Sequence, residues 1–178
     1  MSVKKTVILD SSSAILLEKS ELLNELLNAY HVVLTEAVYN ELTMNSYLSA
    51  SLFKTMFEES LIEVQPLSTD IDPERKVILD LAAMDIGEAD TITYYLSGQG
   101  DFIMLDDRQG ARFCLKQQIP FINALLFPKI LYFAELLSRQ EYLQKTETIR
   151  QLGRYSDSII NKARKLTKPE LNQFLPSN

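Results

Sequence analysis

A single cysteine, a single histidine and five glycines leave several kinds of chemistry without material in this 178-residue chain. One cysteine excludes an intrachain disulfide, and Cys114, in ARFCLKQQ, sits on what reads as an ordinary helix face. The one histidine, His31, opens a strand and reads as structural, so no histidine is at hand as a general base or as part of a zinc site. With so few glycines there is no GxGxxG and no GxxxxGK, which weakens kinase, ATPase and dehydrogenase readings. No apolar run approaches the ~18 residues of a membrane span. The start, MSVKKTVILD, carries two lysines, but Asp10 and three serines break its apolar run, so no signal peptide is recognised and a cytoplasmic location is expected.

Positive charge is also short. Eighteen Lys and Arg stand against 24 Asp and Glu, a net charge of -6. That balance argues mildly against a large nucleic-acid footprint, because phosphate binding needs clustered cations. It does not exclude one. A site built from carboxylates is negative until a metal arrives, and a basic surface can be supplied locally, by a second subunit or by a protein partner.

What the chain does have is acids in unusual places. Asp10 ends the apolar run VILD, Glu41 lies in TEAVYNEL, Glu88 and Asp90 lie in GEADTI, and Asp106 and Asp107 end FIMLDD. An unpaired carboxylate at the end of a buried strand costs free energy and serves no packing purpose. Together such groups can hold a divalent cation.

Strand signals fall at residues 6–10, 31–35, 61–64 and 102–105, with IPFI (119–122) as an edge strand. Helical patterns fall near 14–17, 21–27, 38–42 (with Thr35 as N-cap), 47–59, 74–83, 88–96 and 110–117, Gly87 separating two of them. This alternation predicts an α/β domain with a central, mostly parallel sheet of four or five strands, helices on both faces, and segments 6–10 and 102–105 as neighbours. After Asn123 no strand signal follows, and breaks near Pro128, Arg139 and Gly153 divide two or three further helices. The expected organisation is a domain over 1–125, a C-terminal helical extension over 126–167 packed on it, and a frayed tail over 168–178.

Functional groups in open α/β sheets gather at the carboxyl ends of strands, where Asp10 and Asp106/Asp107 stand. Glu41 faces that end if Val38 and Leu42 pack inward, and Glu88 and Asp90 open a helix whose dipole favours negative charge. Oxygen ligands without a His or Cys cluster select Mg²⁺ or Mn²⁺ over zinc. Metal-activated water is then the economical nucleophile for a phosphodiester, and the chain reads as a metal-dependent phosphodiesterase, an RNA-cutting one. Ser12 would place a hydroxyl near the metal or a phosphate, or simply cap its helix. Arg112 would hold the carboxylates, touch phosphate, or form a surface salt bridge. Glu88 and Asp90 read equally as ordinary helix-start acids. No basic stripe and no ladder of base-stacking aromatics marks the substrate.

At VILDSSSAILL, TEAVYNEL, GEADTI and IMLDDRQGAR the chain resembles the PIN-domain family of metal-dependent nucleases, which includes the toxin halves of many toxin–antitoxin pairs. The resemblance covers roughly residues 5–125. It implies a three-layer α/β/α sandwich, Mg²⁺ or Mn²⁺ as cofactor, RNA as substrate, a homodimer, and an antitoxin protein as a further partner. It assigns Asp10, Glu41, Asp90 and Asp107 as the catalytic metal ligands, with Ser12, Glu88 and Asp106 in support; Arg112 joins them from its place on the helix after Asp107. The segment NALLFPKILYFAELLSRQ departs from the family branch, which carries glycine and lysine there. Its apolar residues Leu126, Phe127, Ile130, Phe133, Leu136, Leu137 and Tyr142 are more than one small sheet face needs, which independently suggests a two-fold dimer. The competing expectation is a PIN-like module that binds nucleic acid or protein without cutting. A receiver-like phosphoacceptor domain is disfavoured, because the strand-end lysine it needs is missing.

Overall fold

The computed structural model describes residues 3–44, 48–66 and 83–177. Its first element is β1 (Thr6–Leu9), followed by α1 (Ser11–Lys19), α2 (Leu23–Ala29), β2 (His31–Thr35), α3 (Glu36–Thr43), α4 (Ala50–Glu58) and β3 (Glu63–Gln65). After the residues not described come α5 (Ile86–Leu96), β4 (Phe102–Met104), α6 (Arg108–Gln117) and β5 (Phe121–Ile122). A 3₁₀ turn (Ala124–Leu126) leads into α7 (Phe127–Phe133), α8 (Arg139–Leu152), α9 (Asp157–Lys165) and α10 (Lys168–Leu171), and a second 3₁₀ turn spans Asn172–Phe174. The expected helix over 74–83 lies outside the described residues but for its last one.

All five strands are parallel, in the order β3-β2-β1-β4-β5. β1 and β4 are neighbours in register, Val7 opposite Phe102 and Leu9 opposite Met104, as the sequence reading required. Alternation along each strand splits the core. Val7, Leu9, Phe102 and Met104 face α1, α2 and the C-terminal helices, whereas Ile8, Ile103 and Leu105 pack with Ala89 and Ile92 of α5 and Cys114 of α6. The molecule is the three-layer α/β/α sandwich expected.

Several local expectations change. Helix α5 begins at Ile86 rather than near Glu88, because Asp85 caps it by accepting the Glu88 N–H (3.1 Å). Gly87 therefore lies inside its first turn and does not divide two helices there. Thr35 is the cap of α3, through Val38 N–H at 3.4 Å.

The C-terminal segment is absorbed more fully than its sequence suggested. Phe127 and Ile130 are wholly buried in the larger core, and Leu126, Phe133 and Leu137 pack against it; only Leu136 stays largely exposed, at 56%. Most of the apolar side chains that pointed to a dimer surface are thus used inside the domain. The tail expected to fray carries α10, with Leu171 and Phe174 buried. Tyr30 donates its hydroxyl to the Phe174 carbonyl (2.6 Å), the Phe174 ring meets Phe102 edge-to-face at 5.3 Å, and Lys5 Nζ donates to the carbonyls of Gln173 and Leu175. Burial of an aromatic of this size contributes ~1.5–3 kcal/mol, enough to hold a short tail.

Candidate active site

The carboxyl ends of β1 and β4 adjoin. The Asp10 N–H donates to Met104 O (2.9 Å), so the residue after β1 is paired to the end of β4. Asp10 then caps α1, its Oδ2 accepting from the Ser12 N–H (3.1 Å) and the Ser12 hydroxyl (2.5 Å). Ser12 Oγ in turn accepts the Asp106 N–H (3.3 Å), which makes the serine a bridge between the two strand ends. The cap of α1 is Asp10, so the capping role that the sequence left open for Ser12 falls to its neighbour.

Glu41 reaches across from α3. A Cβ built on Gly87 would stand 2.6 Å from Glu41 Oε1, so the glycine leaves the space in which that carboxylate lies. Asp90, buried, follows Gly87 by three residues on the same face of α5, and helical side chains lean toward the helix start. Glu88 is buried on the next face, its Oε1 accepting the Gly110 N–H at 2.7 Å. A Cβ on Gly110 would fall 2.2 Å from the same oxygen, so α6 approaches Glu88 only through a glycine. Asp107 caps α6 by accepting the Gln109 N–H (2.6 Å) and stays exposed.

Charge crowding joins these acids. Burial, with the negative charges of Asp85 and Glu41 added, pushes the Asp10 carboxyl up to about 6 even though Ser12 donates to it twice. Burial followed by the charges of Asp107 and Asp10 pushes Glu88 up to about 8. Asp10 thus feels Asp85 and Glu41, and Glu88 feels Asp107 and Asp10, a linked set of five carboxyl groups around the mouth at the joined ends of β1 and β4. Asp85 is the member that sequence reasoning missed. Its signal was the D-x-x-E spacing of Asp85 and Glu88, the mark of a helix start.

Two residues placed in support behave otherwise. Asp106 is enclosed by donors: Ser13 Oγ (2.6 Å) and the Ala124 N–H (2.9 Å) on Oδ2, and the Tyr155 hydroxyl on Oδ1. It joins α1, β4 and the C-terminal extension. Arg112 is exposed on α6 and forms no ion pair with the acids among the described residues. Cys114 is buried, and burial pushes its thiol up to about 12, which leaves it inert. His31 Nε2 donates to the Glu63 carboxylate at 2.7 Å, across β2 and β3 and away from the mouth.

A family model described as DUF3368, PIN domain, matches residues 6–167. The chain belongs to the PIN-domain family. A search of curated proteins finds no match. The match runs through the C-terminal extension to residue 167, well past the region that carries the family motifs. A PIN domain is a nuclease-type fold, nucleic acid is the substrate class it implies, and such domains typically bind divalent metal. No helix among the described residues is long and apolar enough to cross a membrane.

The donors fit such an ion by their chemistry: oxygen only, negatively charged, and destabilised by one another unless a cation intervenes. Among the described residues no three His, Cys, Asp or Glu side chains stand close enough to hold an ion as they are placed. The donor chemistry at the mouth fits a divalent cation, while the described side chains as placed do not converge on one.

Proposed function

We propose that this PIN domain is a metal-dependent endoribonuclease, with Asp10, Glu41, Asp90 and Asp107 as the residues that hold Mg²⁺ or Mn²⁺. The observation that carries the reading is that Asp10 and Glu88 are buried at or beside the joined ends of β1 and β4 with further carboxylates next to them, Asp85 and Glu41 beside Asp10 and Asp107 beside Glu88, so that burial first and these charges second raise both groups. Acids crowded in this way cost stability and are kept where a cation or a proton is part of the work. When bound, the ion supplies a water of lowered pKa and neutralises charge on the phosphate being transferred. The chain's own part is placement. Ser12 fixes Asp10 against the β4 end, Gly87 admits the Glu41 carboxylate beside α5, and Gly110 lets α6 bring Asp107 up to Glu88. Glu88, largely protonated near neutral pH without metal, is suited to hold or release a proton beside the ligand set.

The family resemblance extends this reading to the toxin of a toxin–antitoxin pair and to a homodimer. The burial of Phe127 and Ile130 moves any dimer contact to other residues than those. A second reading, a PIN module that binds without cutting, is favoured by the lack of three converged ligands among the described residues.

Titration calorimetry with Mn²⁺, run beside cleavage of a mixed RNA pool, separates the two. The expected result is a binding heat and metal-dependent cleavage in the wild type, both lost in Asp10→Asn. Binding of RNA with no Mn²⁺ heat and no cleavage would establish the silent module. Cleavage that persists in Asp10→Asn would overturn the assigned site.

A further inference from the structure

The chain's charge is unevenly divided. Residues 139–168 contain eight of the 18 Lys and Arg but only three of the 24 Asp and Glu, so this stretch is locally +5 within a chain of -6. The asymmetry is invisible in the bulk charge and in any short window, because the cations are spread over two helices and their ends.

Folding leaves most of these cations in water. Arg154, Lys162, Arg164, Lys165 and Lys168 are all exposed, and α9 has no buried residue. Among the described residues Arg154, Lys162, Lys165 and Lys168 form no side-chain hydrogen bond or ion pair. Of the acids nearby, Glu147 is paired with Arg150 (2.6 Å) and Glu170 caps α10 through Thr167, while Asp157 stands exposed in the first turn of α9. Lys162 and Lys165, three residues apart, share one face of α9. By contrast Lys129 and Lys145 donate to backbone carbonyls and are not available. The inner side of α9 is committed to the domain through Ile160 and Ala163.

The extension is also tied to the end of β4, one residue before the mouth. The Tyr155 hydroxyl donates to Asp106, the residue just before Asp107, and α9 begins two residues after Tyr155. The end of β4 therefore stands between α6, which carries the exposed Arg108 and Arg112, and the start of basic α9. An acidic mouth flanked by cations suits a polyanion whose scissile group enters the acids while its neighbouring phosphates need counter-charge.

We propose that α9 and its flanks, centred on Arg154, Lys162 and Lys165, form the surface that grips the phosphate backbone of the nucleic-acid substrate, with the Tyr155–Asp106 contact keeping that grip in register with the mouth. This rests on the ribonuclease reading for its substrate. The occupant is a single strand of RNA rather than an acidic protein, because the surface is joined to the mouth of a nuclease-type fold.

The test is binding of a fluorescent single-stranded RNA oligonucleotide to Asp107→Asn with Mn²⁺ present, so that affinity is read without cleavage. Adding Lys162→Gln and Lys165→Gln should weaken binding about tenfold and flatten the slope of log K against log salt by about 1.4, the loss of two phosphate contacts on a single strand. The paired control, Lys19→Gln with Lys54→Gln on exposed positions outside residues 139–168, should change neither. Equal melting temperatures would show that both variants are folded, as expected for side chains with no partners. Unchanged RNA affinity in the α9 variant, or an equal loss in the control, overturns this proposal and leaves the nuclease reading standing. Failure of the parent Asp107→Asn to bind any RNA overturns both.

Discussion

Asp106 and Asp107 are neighbours in the chain, yet one is surrounded by donors and the other faces another acid. Asp106 lies in a polar seam with Ser13, Ala124 N–H and Tyr155, where burial raises its pKa while all three donors lower it. Asp107 borders the mouth, where its charge helps to push Glu88 up to about 8. The seam shows a buried carboxylate used as cement, since a satisfied acceptor of three donors holds separate elements together. The mouth shows carboxylates kept against stability, a strain that only a cation, a proton or a function explains. Removing an acceptor should therefore cost stability in the seam, and removing only a charge should raise it in the mouth.

The largest expected effect is in the seam. Asp106→Ala leaves the Ser13 hydroxyl, the Ala124 N–H and the Tyr155 hydroxyl without their acceptor, at ~1–3 kcal/mol for each group that water cannot reach. A net loss of about 3 kcal/mol corresponds to a Tm lower by roughly 6–12 °C for a chain of this size. Asp107→Ala removes only a helix cap, about 1 kcal/mol. Thermal melts of the two variants in chelator decide the matter. Equal Tm losses would erase the distinction between seam and mouth.

A smaller effect of opposite sign is expected inside the mouth. The folded pKa of Glu88, about 8, lies above the ordinary 4.5, so the folded protein holds a proton that the unfolded chain has released. The associated stability is present below about pH 4.5 and is lost as pH rises through 8; Asp10, raised from 3.8 to about 6, adds to the loss at the lower end of that window. Metal-free wild type should thus melt lower at pH 8.5 than at pH 5.5. Glu88→Gln keeps an oxygen for the Gly110 N–H but carries no charge, so it should melt roughly 5 °C above wild type at pH 8.5 and show a flatter pH dependence. Parallel Tm profiles for the two proteins would show that Glu88 does not titrate there.

The difference between the two acids was partly legible before folding. Strand alternation puts Asp106 on the side of Phe102 and Met104, toward α1 and the C-terminal helices, while Asp10 falls on the side of Ile8, toward α5. Applying that period through FIMLDD would have separated Asp106 from the mouth; reading the doublet as one feature did not. The sheet was legible because apolar strands such as VVL and FIM bury both faces. Asp85 was hidden because its role depends on where α5 starts, a boundary displaced by the apparent stop at Gly87. Tyr155 and the folded tail carried no local signal at all. Their partners are 49 residues away at Asp106 and 144 residues away at Tyr30, and only the finished sheet brings them together.

The smallest expected effect on stability, with a disproportionate one on function, is at Gly87. A Cβ there would meet Glu41 Oε1 at 2.6 Å, but that oxygen is the far end of an exposed, flexible side chain that can swing away. Alanine also favours the helix by about 1 kcal/mol over glycine, which offsets the crowding. Gly87→Ala should accordingly leave Tm within about 2 °C of wild type. The displaced carboxylate, however, would no longer lie over α5 at Gly87, and misplacing one group at a reacting site by about 1 Å costs up to ~100-fold in rate. Calorimetric Mn²⁺ affinity and RNA cleavage should both fall at least tenfold while the melt is unchanged. A variant that keeps both would remove Glu41 from the ligand set and leave Asp10, Asp90 and Asp107 to hold the ion.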